Sequence, residues 1–115
     1  MGVFIGTMVI ASAAKPSTTI SGRVLRTVGA VTIVAPAALT GTITVQVPDG
    51  IGASPTYAAL QVPDGAGGFA DMTIGAGKAI TIPDGTPMHA IRVNSGSAEG
   101  AERTFNVFGE EKAHA

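Results

Sequence analysis

Nowhere along these 115 residues does an apolar pattern of helical period run the length of a helix before a glycine or proline interrupts it. The period that does recur is two. In TITVQV, Ile43, Val45 and Val47 point one way, and Thr42, Thr44 and Gln46 the other. KAITI sets Ile80 and Ile82 against Thr81, HAIRV sets His89, Ile91 and Val93 against Ala90 and Arg92, and RTFNVF sets Phe105 and Val107 against Thr104, Asn106 and Phe108. VFIGTMVI, GRVLRT, AVTIVA, TYAALQV and ADMTI are weaker strand candidates, and VAPAALTG offers one helical turn after Pro36. Short strands separated by 16 Gly and 7 Pro read as an all-β fold. The expected form is a single-domain, jelly-roll-like β-sandwich of roughly eight strands.

A chain of this length forms one domain with a modest core. Only 13% of its residues are charged, about half the usual share. The surface must therefore be built from Thr, Ser, Gly and Ala, which offers little repulsion against association. A net charge of −1, with Lys and Arg scattered singly, argues against nucleic acid and anionic membranes as partners. The absence of cysteine removes disulfides and thiolate metal sites.

The two ends differ in character from the body. VFIGTMVI is apolar on both faces, which a strand tolerates only when both faces are covered. It is too short to span a bilayer, and no positive charge precedes it as a signal peptide would require. Joined to the body by ASAAKPSTT, it reads as an arm that packs on a neighbouring subunit, in preference to a strand of the domain's own core. Val3, Phe4, Ile5, Met8, Val9 and Ile10 are then its interface residues. The expected division is residues 1–19 as arm and linker, 20–109 as the sandwich, and 110–115 as a polar tail.

Three strands run into the same tripeptide: Pro48-Asp49-Gly50, Pro63-Asp64-Gly65 and Pro83-Asp84-Gly85. Proline presets φ for a turn, aspartate tolerates the next position, and glycine accepts positive φ. The three spacings are unequal, so these are repeated turns and not repeated modules. A calcium loop needs several closely spaced oxygen ligands, whereas each tripeptide brings one carboxylate. Reversal of the chain, with positive φ at Gly50, Gly65 and Gly85, is the expectation.

Catalytic constellations are hard to assemble, and no enzymatic activity, cofactor or metal is expected. IGAGK places Lys78 after glycines but leads into a strand, without the helix that a phosphate loop feeds. His89 shares an apolar strand face, and His114 lies in the tail. Glu99 and Glu102 flank a Gly-Ala turn and read as solvated. No serine sits in a nucleophile elbow. With one Tyr and no Trp, the chain also lacks the usual aromatic platform for sugar, leaving Phe69 and Tyr57 as the exposed aromatics to consider.

From about residue 35 to 109, four segments in order resemble a family of small tailed-phage virion proteins. They are APAALTGTITVQV ahead of its DG turn, YAALQV, IGAGKAITIP, and HAIRVNSGSAEGAERTFNVFG. Tyr57 follows the longer IGASPT loop where many relatives carry an aromatic soon after the DG turn. The resemblance implies a β-sandwich accessory protein of the virion, such as a capsid decoration (cement) protein on the capsid exterior. It further implies a homotrimer, the major capsid protein as partner, and no catalytic residue. A receptor- or carbohydrate-binding module of a fibre or adhesin, and a tail or neck component, are the alternatives.

Overall fold

The computed structural model describes residues 2–50, 55–83 and 90–111. Period-two alternation becomes strands over most of that length. In chain order these are β1 (Gly2–Ile10), β2 (Ile20–Ser21), β3 (Val28–Val34), β4 (Ile43–Pro48), β5 (Tyr57–Ala59), β6 (Gln61–Pro63), β7 (Phe69–Asp71), β8 (Thr73–Ile74), β9 (Ala79–Ile82), β10 (Ala90–Ser95) and β11 (Arg103–Glu111). One antiparallel sheet has the order β1-β11-β3-β9. The second has the order β2-β10-β4-β5, with β8 also on β4. The all-β, sandwich-like architecture expected from the alternation is present.

The core lies between the sheets. Met8, Ile10, Val31, Ile33, Ile82, Phe105 and Val107 enter it from the first sheet. Ile20, Ile43, Val45, Ile74, Ile91 and Val93 enter from the second. Full burial of each such side chain contributes about 1.5–3 kcal/mol against chain entropy.

The N-terminal segment is not a free arm. β1 pairs with β11 along its length, from Gly2 opposite Glu110 to Ile10 opposite Arg103, and Met8 and Ile10 are fully buried. The boundaries at residues 19 and 109 therefore move. β1 belongs to the sandwich, and β11 runs on to Glu111. The two-faced apolar pattern has a local cause in a bulge between Phe4 and Gly6. Without it Phe4 would share the inward face of Gly6 and Met8; the extra residue turns Phe4 outward, opposite Phe108, and Ile5 packs against the core. Gly6 adopts φ +148°, and a Cβ there would lie 3.1 Å from Ile20 Cδ1, so the bulge requires glycine.

Residues 11–19 are likewise pinned and not a loose linker. Ser17 N–H donates to the Val93 carbonyl (2.9 Å), Ser17 Oγ accepts from Val93 N–H (2.9 Å), and Ser95 N–H donates to the Lys15 carbonyl (2.9 Å).

Local chemistry overrides the strand reading of GRVLRT. Ser21 Oγ accepts from Val24 N–H at 3.4 Å and caps a single helical turn, α1 (Gly22–Leu25), which buries Leu25. The segment after Pro36 makes no helix. TYAALQV and ADMTI split where their strands part. Leu60 N–H donates to Val45 O, Val45 N–H to Met72 O, and Met72 N–H to Leu60 O. At that junction β5 and β8 continue along β4, while β6 and β7 leave as a two-stranded hairpin.

Candidate functional site

The one buried carboxylate among the described residues lies in a loop that reads as solvated. Glu99 is 1% exposed. Its Oε1 accepts from Thr40 N–H (2.8 Å) and Arg103 Nε–H (2.8 Å). Its Oε2 accepts from Gly41 N–H (2.9 Å) and the Ser95 hydroxyl (2.6 Å). Its backbone takes part too, since Ala13 N–H donates to its carbonyl (2.7 Å) and its own N–H donates to the Ala14 carbonyl (3.0 Å). Ala13 is held there at φ 68°, unusual for a residue other than glycine. One residue thus ties together the loops after β1, before β4 and after β10. Burial alone would push the Glu99 carboxyl up. Hydrogen bonds from Ser95, Gly41, Thr40 and Arg103 outweigh it and bring the carboxyl down to about 2. With two donors on each of its oxygens, the group serves as an anchor between loops. The expectation that Glu99 is solvated is therefore corrected, while Glu102 is exposed.

The tripeptide turns divide. Asp64 Oδ1 accepts from Ala66 N–H (2.8 Å) and Gly68 N–H (3.1 Å), and Gly65 has φ +82°. Those bonds, Ala66 first and then Gly68, hold its carboxyl below the usual carboxylate range. Pro63 ends β6, so this copy reverses the chain as expected. Pro48 ends β4 and Asp49 N–H donates to the Thr56 carbonyl (2.8 Å), but Gly50 does not have positive φ. Positive φ, expected at Gly50 for a tight turn, is therefore not found there, and residues 51–54 lie outside the described residues. Pro83 directly follows β9, whereas Asp84, Gly85 and His89 lie outside the described residues. Among the described residues no group of three or more His, Asp or Glu is placed to hold a metal ion. Lys78 closes a tight turn, with its N–H donating to Gly75 O (3.1 Å) and Gly77 at φ +70°.

The six N-terminal interface candidates separate by face. Met8 and Ile10 are core, and Ile5 and Val9 are half-buried. Val3 and Phe4 are exposed, Phe4 at 56%. Phe4 meets Phe108 edge-on, with ring centroids 5.6 Å apart. Two rows of residues cross the entire outer face of the first sheet without a charge. They are Phe4–Phe108–Thr32–Thr81 and Thr7–Asn106–Val34–Ala79. Thr32 and Thr81 hydroxyls bond each other at 2.9 Å, which leaves them less hungry for water. Together the two rows make a weakly hydrated strip across all four strands. The outer face of the second sheet is more polar: Arg92 stacks 3.6 Å above the Tyr57 ring and donates from Nε to Gln46 Oε1 (2.8 Å).

Two further features are smaller. Phe69 is 69% exposed on the β6–β7 hairpin, where Gln61 also bonds Asp71. An open cleft of about 330 Å3 is lined by Leu39, Gly41, Thr42, Thr73, Ile74, Gly75 and Ala76, with no ionisable side chain. Comparison of the chain with protein-family models, with curated proteins and with solved structures gives no match.

Proposed function

We propose that this protein is a non-enzymatic structural component of a bacteriophage particle, a decoration protein that binds the major capsid protein on the outside of the head. The observation that carries the reading is the pair of uncharged rows across the outer face of the β1-β11-β3-β9 sheet, with the exposed Phe4–Phe108 pair. Surface of this kind costs little to dehydrate, and the rigid sandwich behind it loses little entropy on docking. The resemblance of residues 35–109 to small virion proteins supplies the choice of partner. Function then consists of contact area added across neighbouring capsid subunits. The sharpest test is co-sedimentation with heads assembled without the protein. Saturable uptake is expected, and Thr32→Lys, at the centre of the face, should abolish it while leaving the melting temperature unchanged. Uptake unaffected by Thr32→Lys moves the contact elsewhere, and no uptake at all removes the reading.

Phe69 favours a second reading. A lone aromatic on a projecting hairpin suits a receptor- or carbohydrate-binding module of a fibre or adhesin. That reading expects binding to host cells or surface polysaccharide, lost in Phe69→Ala, and no uptake by heads.

A further inference from the structure

The outer face of the second sheet carries a cation held in one position. Arg92 lies opposite Gln46 across β10 and β4, and Ala59 lies opposite Gln46 across β4 and β5. The Arg92 guanidinium is fixed twice, by its stack 3.6 Å above Tyr57 and by the bond from its Nε–H to Gln46 Oε1 (2.8 Å). A guanidinium stacked and bonded in this way has little rotamer freedom left to lose on binding. Among the described residues its two terminal NH2 groups make no hydrogen bond, and it forms no ion pair. Of the chain's eight acidic residues only Asp84 lies outside that set, so Asp84 is the one side-chain carboxylate left that could neutralise Arg92.

The neighbours of that cation are donors, acceptors and small residues. With its oxygen turned to Arg92, the Gln46 amide keeps its NH2 as a further donor. Ala59 beside Gln46, and Ala90 on the same face two residues before Arg92, are too small to wall the site off. One row along the sheet, about 7 Å away by strand geometry, Asn94, Thr44 and Thr73 cross β10, β4 and β8. Their amide and hydroxyl groups both donate and accept.

We infer that this face binds an acidic sugar, with the sugar's carboxylate on Arg92 and its hydroxyls on the Asn94–Thr44–Thr73 row. The occupant is selected by chemistry. Two parallel N–H groups in one plane match the two oxygens of a carboxylate. A neutral sugar would leave the fixed positive charge uncompensated, and a bare carboxylate would leave the neighbouring row unused. An acidic side chain of a protein partner brings the carboxylate without a set of hydroxyls at that spacing. Ring stacking plays no part, because the guanidinium already covers one face of Tyr57. The site lies on the other sheet from the Phe4–Phe108 pair, and Phe69 belongs to the separate β6–β7 hairpin. Binding here therefore depends neither on a capsid partner nor on Phe69.

Titration of the intact protein with glucuronic and galacturonic acid, followed by NMR of its side-chain N–H signals, tests this. With at least one of the two, the Arg92 Nε–H and the Gln46 and Asn94 amide signals should shift saturably. Glucose should leave them in place, and acetate should bind about tenfold or more weakly, lacking the hydroxyls. Arg92→Lys keeps the charge but loses the planar pair of donors, and should weaken binding about tenfold or more. Its backbone spectrum reports whether it folds, and Gln46→Leu is a second variant expected to weaken binding. Phe69→Ala should bind as the unaltered protein does. No shift with either acid, equal binding of glucose or acetate, or binding undiminished in Arg92→Lys and Gln46→Leu overturns the inference. Loss of binding in Phe69→Ala overturns it by moving the sugar to the hairpin. Binding gained only on Asp84→Asn overturns it too, because Arg92 is then neutralised within the chain.

Discussion

Replacing Glu99 by Gln removes one oxygen acceptor while keeping the size of the side chain. Turning the amide so that its nitrogen takes the Oε1 place would set it against two fixed donors, Thr40 N–H and Arg103 Nε–H. The other orientation is better, because the Ser95 hydroxyl can rotate to accept, but Gly41 N–H then faces a donor. One buried donor is left unmade, at about 1–3 kcal/mol, and Arg103 loses its counter-charge. The titration of Glu99 gives a consistent ceiling. A fall from 4.5 to about 2 corresponds to at most about 3 kcal/mol, lessened by screening because the group lies close under the surface. Glu99→Gln should therefore lower stability by about 2–3 kcal/mol and the melting temperature by about 10 °C. The sign with pH follows from the depressed carboxyl. Its contribution is complete above the unfolded value of 4.5 and is lost as pH falls towards about 2. Chemical denaturation of both proteins from neutral pH downward measures this, and the gap between them should close across that window. A gap below about 0.5 kcal/mol at neutral pH, or one that widens on acidification, would refute the anchor.

Other substitutions separate core, turn and steric roles. Deleting residues 1–14 should abolish the cooperative unfolding transition. Removing Met8 and Ile10 alone costs about 2–5 kcal/mol each against a total stability of about 5–15, and a folded truncate would show that β1 is dispensable. Gly109→Ala should cost about 1–3 kcal/mol, because its Cβ would lie 2.5 Å from Val28 Cβ. Gly2→Ala, with nothing within 4 Å of the new carbon, should be neutral by the same denaturation assay. Asp64→Asn should leave the melting temperature nearly unchanged, since an amide oxygen can still accept from Ala66 and Gly68; added calcium should not raise it.

Strands with clean alternation were legible before any coordinates. Ile43 and Val45, Ile91 and Val93, and Phe105 and Val107 all point into the core as the period of two predicts. Where local devices intervene, the pattern misleads. The bulge at Ile5 makes β1 look apolar on both faces, so a strand of the domain resembles a detached arm. A serine cap turns GRVLRT into a helical turn, although Ser21 was the visible cue. Glu99 was the largest omission. It sits among Ser, Gly and Ala in a stretch typical of solvated loops, and two of its partners, Thr40 and Gly41, are 59 and 58 residues away. Ser95 and Arg103, each four residues away, were the local hints. The two uncharged rows were equally hidden, because they exist only once four separate strands are set in register.

As proposed above, the protein would strengthen a phage head by laying the outer face of its first sheet over neighbouring subunits. Heating heads that lack the protein, with and without its addition, and following DNA release by dye fluorescence tests this directly. The added protein should raise the release temperature, the rise should saturate with bound protein, and Thr32→Lys should remove it. Release at the same temperature with saturating protein bound, or equal protection by Thr32→Lys, would contradict it.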